Sequence, residues 1–124
     1  MDKALQRRHT VAQDLRLALR REEFEVVYQS QFDLATGEQT GVEALVRWHH
    51  PVHGKVAPTH FISVAEETGL IVPLGEWVLR RACSDAVTWN KPLTVAVNLS
   101  PAQFRGADVA ETVRNLPPQR VLWE

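Results

Sequence analysis

Glu38-Gln39-Thr40-Gly41-Val42-Glu43-Ala44-Leu45-Val46-Arg47-Trp48 is the stretch on which the fold turns. Side chains of a strand point alternately to opposite faces. Val42, Ala44, Val46 and Trp48 therefore share one apolar face, and Glu43, Leu45 and Arg47 share the other. Just upstream, residues 25–33 alternate in the same way, with Val26, Tyr28, Ser30 and Phe32 on one side and Val27, Gln29 and Gln31 on the other. Between the two runs, Ala35-Thr36-Gly37 carries the composition of a turn, so the pair reads as an antiparallel hairpin.

Outward from the hairpin the pattern becomes helical. Val11, Leu15, Ala18 and Leu19 fall on one stripe, with Thr10 and Gln13 in the positions of a capping box that would start the helix at Thr10. Residues 1–13 read as an N-terminal linker or a helix extension, and 14–124 as the domain proper. On the other side, residues 49–58 read as a loop containing Pro51, Gly54 and Pro58. Thr59 is placed to cap a short helix that Gly69 ends. A longer helix is expected over 74–90, with Val78, Leu79, Ala82, Cys83, Ala86 and Trp89 on one side. Residues 93–99 are too apolar for a half-exposed strand and fit a strand buried on both faces, as in parallel sheets. Ser100-Pro101 opens a further helical region to about Leu116, and Val121 begins another strand. The order α, β-hairpin, helices, then β, α, β gives an α/β class.

Composition narrows the function. The chain has 124 residues, 14 basic and 15 acidic side chains and a formal net charge of −1. That length suits one domain with a modest core. With 44% hydrophobic and 23% charged residues, the chain is not intrinsically disordered. A near-neutral balance gives no broad field for a nucleic-acid polymer or an anionic membrane. The single cysteine, Cys83, forms no internal disulfide and no cysteine-rich zinc site. No apolar run approaches the ~20 residues of a membrane span, and the first residues are not a signal peptide. The expected setting is cytoplasmic.

Glu43 and Arg47 place an acid and a base on a strand that otherwise looks interior. At ~3.3 Å per residue they lie about 13 Å apart, too far to satisfy one another. Buried charges need partners. A metal ion for the carboxylate and a phosphate for the guanidinium would serve, and so would ordinary ion-pair partners from other strands. Asn98, polar at the carboxyl end of an apolar strand, is where α/β folds gather ligands; it equally fits a cap for the next helix. Gln29 and Gln31 suit a purine edge or a neighbouring strand. His49, His50 and His53 lack the helical spacing of a zinc protease and fit a solvated loop. Trp77 reads as a contact surface, Cys83 as a packing residue, and Glu66 and Glu67 as solvent-facing. There is no glycine-rich phosphate loop and no serine or cysteine nucleophile motif.

Glu43-Ala44-Leu45-Val46-Arg47-Trp48 resembles the signature of the EAL-domain family, the bacterial cyclic-di-GMP phosphodiesterases. Three neighbouring stretches agree with it in order. Tyr28-Gln29-Ser30-Gln31 is similar to the family's Tyr-Gln-Pro motif. Residues 58–71 resemble its Pro-x-x-Phe-Ile-Pro-x-Ala-Glu segment, and Val97-Asn98-Leu99-Ser100 its Val-Asn-Leu-Ser strand end. The resemblance implies a partial TIM-like (βα) barrel with an antiparallel first strand, and Mg²⁺- or Mn²⁺-dependent hydrolysis of cyclic di-GMP to pGpG. It implies Glu43 and Asn98 as metal ligands, Arg47 against a substrate phosphate, the backbone at Leu45 against the ligand, and Gln29 near a guanine.

Two departures qualify this expectation. Ser30 and Ser63 stand where the family usually has proline. The chain is also about half the length of a family domain, and the Asp-Asp-Phe-Gly motif, the water-activating lysine and the later glutamate and glutamine are absent from it. The expectation is an N-terminal half of such a domain that holds no complete catalytic set and does not hydrolyse cyclic di-GMP alone. Half a barrel also leaves sheet edges uncovered, so self-association or pairing with the remainder of the domain is expected. The alternative is a non-catalytic module that binds cyclic di-GMP or a partner protein, or dimerises.

Overall fold

A computed structural model describes residues 3–90, 93–97 and 121–123. Helix α1 spans Lys3–Arg21. It is followed by strands β1 (Phe24–Phe32), β2 (Gln39–His50) and β3 (Gly54–Val56), then helices α2 (Pro58–Thr68) and α3 (Ile71–Val87), and strands β4 (Thr94–Val97) and β5 (Val121–Trp123). Among the described residues these five strands form one sheet in the order β1-β2-β4-β5, with β3 paired to β2 off that path.

The hairpin expected from the alternation is present. β1 and β2 pair antiparallel with Val26 opposite Val46, Tyr28 opposite Ala44 and Gln29 opposite Glu43. Its turn is closed locally: the Asp33 carboxylate accepts the N–H of Ala35 at 2.7 Å, the Asp33 carbonyl accepts that of Gly37 at 2.8 Å, and Gly37 takes φ 73°, a conformation open to glycine at little cost. β4 runs parallel to β2, Val42 beside Val95 and Ala44 beside Val97, and parallel to β5. Val95, Ala96 and Val97 are all buried, as their continuous apolar sequence requires of a central parallel strand.

One face of the sheet carries the core. Val26, Val42, Ala44, Trp48, Val95 and Val97 meet Leu15 and Ala18 of α1, Phe61 and Val64 of α2, and Leu74 and Val78 of α3. Phe24 sits at its centre, with ring centroids 5.7 Å from Trp48, 6.0 Å from Phe61 and 6.0 Å from Trp77. Such rings bury large apolar areas and gain further from tilted contacts. Trp77 is thus a packing residue, not the contact surface its position on the helical wheel indicated.

Four element boundaries differ from the sequence reading. α1 begins at Lys3 and passes through Thr10 without a break, because the polar residues before Val11 are compatible with a solvated helical extension. Ala57, not Thr59, is the N-cap of α2, with Pro58 in the first turn. α3 begins at Ile71, ahead of Pro73. A proline in the first turn removes only an N–H that has no intrahelical acceptor, so Pro73 does not delay the start. Finally, the segment read as a loop contains β3, because β2 extends to His50 and folds back through Trp48 opposite Val56 and His50 opposite Gly54. Gly69 ends α2 in the left-handed region at φ 80°, as expected. The helical region expected from Ser100 to Leu116 lies outside the described residues.

No described helix is long and apolar enough to cross a membrane.

Candidate functional site

Strand alternation and register together define a second face of the sheet, directed away from the helices. On β2 it carries Glu43, Leu45 and Arg47; across the hairpin, Gln29 stands opposite Glu43, Val27 opposite Leu45, and Glu25 opposite Arg47. On the other flank Ala96 of β4 stands beside Glu43. Four of the expected site residues, Gln29, Glu43, Leu45 and Arg47, are therefore brought to one face. Asn98, the fifth, lies outside the described residues; β4 reaches Val97.

Glu43, Leu45 and Arg47 are half-buried, while Gln29 is exposed. Arg47 donates from Nη1 to the Val46 carbonyl at 3.0 Å, and among the described residues its guanidinium makes no ion pair. Glu25, its neighbour across the hairpin, is engaged elsewhere, with His49 Nε2 at 3.1 Å. This leaves most of the Arg47 donors directed to no described acid. A guanidinium in that state suits a bidentate anion such as a phosphate. A hard divalent cation needs a shell of about six oxygens. Among the described residues Glu43 is the carboxylate expected to ligate on this face, and no group of three or more His, Cys, Asp or Glu side chains converges as a metal site. The described residues thus do not by themselves make up a metal-binding set.

On the helix-facing side of the sheet the structure shows polar pairs that sequence reasoning did not find. Tyr28 donates from its hydroxyl to Asp85 Oδ2 of α3 at 2.6 Å, and its ring meets Trp89 edge-on at 5.0 Å. Burial, and then the Asp85 hydrogen bond, push the Tyr28 phenol well above the usual tyrosine range. Trp48 Nε1 donates to Glu23 at 3.0 Å. His50 bonds through Nε2 to Asp14 of α1 at 2.8 Å. These partners lie 57, 25 and 36 residues apart, so no local motif signals them. The histidines at 49, 50 and 53 do not converge on a metal: His49 faces Glu25, and His50 faces Asp14. Cys83 is buried, and burial raises its thiol pKa, which makes it the packing residue expected.

A cavity of about 730 Å³ lies behind the sheet between α1, the β2–β3 hairpin and the start of α2. It is not the face that bears Glu43 and Arg47.

Comparison with known proteins places this geometry. The sequence model of the EAL domain matches residues 12–123. An uncharacterised protein of Sinorhizobium fredii is 56% identical over 115 residues, covering 93% of this chain and 14% of that protein. A cyclic di-GMP phosphodiesterase of Pseudomonas aeruginosa is 44% identical over 115 residues, covering 90% of this chain and 20% of its own length. The solved PaMucR phosphodiesterase in complex with c-di-GMP superposes with a TM-score of 0.81 at 40% identity, over 92% of this chain and 50% of that one. The chain therefore spans a small part of the curated relatives and half of the solved chain.

Proposed function

The chain belongs to the EAL domain family, and from that premise we propose that it forms the N-terminal half of a cyclic-di-GMP phosphodiesterase domain, a partial TIM-like barrel that hydrolyses cyclic di-GMP to pGpG when the rest of the domain is present. The observation that carries this reading is the register of β1 against β2. It sets Gln29 across from Glu43 and aligns Glu43, Leu45 and Arg47 on one face, with Glu43 beside Ala96 of the parallel strand β4. In α/β barrels such a face, near the carboxyl ends of parallel strands, is where ligands gather.

Within this reading Arg47 receives a substrate phosphate, the backbone at Leu45 lies along the nucleotide, and Gln29 meets a guanine edge. Glu43 and Asn98 contribute oxygen ligands to a Mg²⁺ or Mn²⁺ ion, whose remaining ligands come from other parts of the domain. When bound, such an ion polarises the phosphoryl oxygens and activates water. The 124-residue chain alone, with two proposed protein ligands, does not hydrolyse the substrate; its other partner is the remainder of the domain or a second copy. The reading includes a cytoplasmic setting, in keeping with a buried, unpaired cysteine thiol.

The test is hydrolysis by the full encoded protein, followed as pGpG released from cyclic di-GMP with Mg²⁺ or Mn²⁺. We expect turnover by the wild type and its loss, by about a hundredfold or more, in Glu43→Gln, since removal of a metal-bound carboxylate disables the step the metal supports. Binding without turnover in the wild type would instead favour a non-catalytic cyclic-di-GMP module. Activity undiminished by Glu43→Gln would overturn the site.

A further inference from the structure

The cavity behind the sheet shares strand β2 with the proposed nucleotide face and is otherwise formed by α1, β3 and the start of α2. Trp48 and His50 point to the opposite side of β2 from Glu43 and Arg47, so the cavity and the nucleotide face are separated by the strand itself. Its volume of about 730 Å³ lies within the roughly 300–1,000 Å³ of small-molecule sites.

Its lining is electrostatically one-sided. Lys3 and Arg7 enter from α1 and Lys55 from β3, with His53 and His60 beside them. The acid described in its wall is Asp14, and that carboxylate is taken by His50 Nε2 at 2.8 Å. His50 is itself nine-tenths buried and completes the wall from its other nitrogen: Nδ1 accepts the backbone N–H of Val52 at 3.0 Å and of His53 at 3.1 Å. Those two bonds require Nδ1 to be unprotonated and place the ring proton on Nε2, facing Asp14. The result fixes the turn at 51–53 that leads into Lys55 and holds Asp14 in the wall, where Lys3, Arg7 and Lys55 outnumber its single negative charge. Val11 and Val56, both half-buried, supply apolar surface between the charged groups.

We propose that this cavity binds a small organic anion, a carboxylate, sulfonate or phosphate ester with an apolar body, at a site separate from the nucleotide face. Lys3, Arg7 and Lys55 hold the anionic group, and the apolar body rests against Val11 and Val56. Because the pocket joins α1 to the carboxyl end of β2, an occupant links the N-terminal helix to the strand that bears Glu43 and Arg47.

The proposal is tested with 8-anilinonaphthalene-1-sulfonate as the probe, titrated into the full encoded protein and followed by its fluorescence and by the shift of the Trp48 indole N–H signal. We expect one saturable site that moves the Trp48 signal. Its Kd should rise about tenfold or more in Arg7→Glu and in Lys55→Glu, both exposed positions whose reversal sets like charge against the anion. Arg47→Ala, on the other face, should leave it unchanged, so the result is independent of whether the nucleotide reading holds. Circular dichroism on each variant checks that the fold is retained. A probe affinity indifferent to both charge reversals, or a probe that leaves Trp48 unmoved, overturns the site. Binding restricted to an acidic peptide, with none of the sulfonate, also overturns it and assigns the patch to a protein partner.

Discussion

At the scale of single residues, Arg47 and Tyr28 show what position on a strand decides. They lie on adjacent strands with opposite facing: Arg47 looks away from the helices, Tyr28 toward them. A charge-assisted hydrogen bond is worth about 1.5–3 kcal/mol, roughly ten- to a hundredfold in affinity. Replacing Arg47 by alanine in the full encoded protein should therefore weaken cyclic di-GMP by that factor in calorimetric titration; an unchanged Kd would remove Arg47 from the site. Tyr28 leads to a pH dependence. Its phenol keeps its proton in the folded chain at pH values where an unfolded tyrosine, of pKa about 10, has lost it. Over that range the folded state binds more protons than the unfolded one, so stability is whole below about pH 10 and falls as pH rises further. Cys83, raised in the same direction by burial, adds to the fall from a lower starting pH. In urea unfolding measured from pH 8 to 11.5, Tyr28→Phe should have a shallower decline above pH 10 than the wild type. Equal slopes would show that neither burial nor the Asp85 bond holds that proton. The facing of Arg47 was open to reading from its neighbours in sequence, whereas the Tyr28 partner was not, since Asp85 arrives on another element.

At the scale of elements, the decisive contact is β2 against β4. Gly41 begins their parallel pairing, beside Thr94, and a Cβ built on it would stand 2.4 Å from the Thr94 carbonyl oxygen. The obstacle is backbone and does not swing aside, so glycine here answers to a close approach of two chains and not to an unusual φ. Gly41→Ala should cost about 1–3 kcal/mol, read as a lower urea midpoint, and should reduce any cyclic-di-GMP turnover because β4 carries the chain toward Asn98. An unaltered midpoint would mean that the strands separate without cost. The helices were legible in their apolar stripes and at Gly69, where a left-handed residue must stop α2. Their starts were less so. Pro73 looks like a barrier in sequence, yet it occupies a first-turn position where its missing N–H costs nothing. β3 was hidden because three residues with no apolar alternation become a strand only when the end of β2 offers its edge.

At the scale of the whole molecule, the sheet raises the question of its edges. Among the described residues the outer edge of β1 has no strand partner, and Phe32 and Leu34 at the end of that strand and its turn are strongly exposed. An unpaired edge with apolar neighbours is a surface for strand addition. The 124-residue chain studied alone should therefore self-associate in light scattering, and adding the remainder of the domain should suppress that association; a monodisperse monomer at high concentration would contradict it.

The antiparallel hairpin, the buried parallel strand, the apolar faces of the helices and the sharing of one face by Glu43, Leu45 and Arg47 could all be read before any coordinates. All of these follow from local periodicity, which is written in neighbouring residues. Tertiary structure alone decided that Gln29 stands opposite Glu43 in a fixed register, that Trp77 belongs to the core, that His50 is committed to Asp14, and that a cation-lined cavity opens behind the strand. Each of these depends on residues distant in the chain, whose meeting is set by packing of the helices on the sheet and leaves no mark in any one segment.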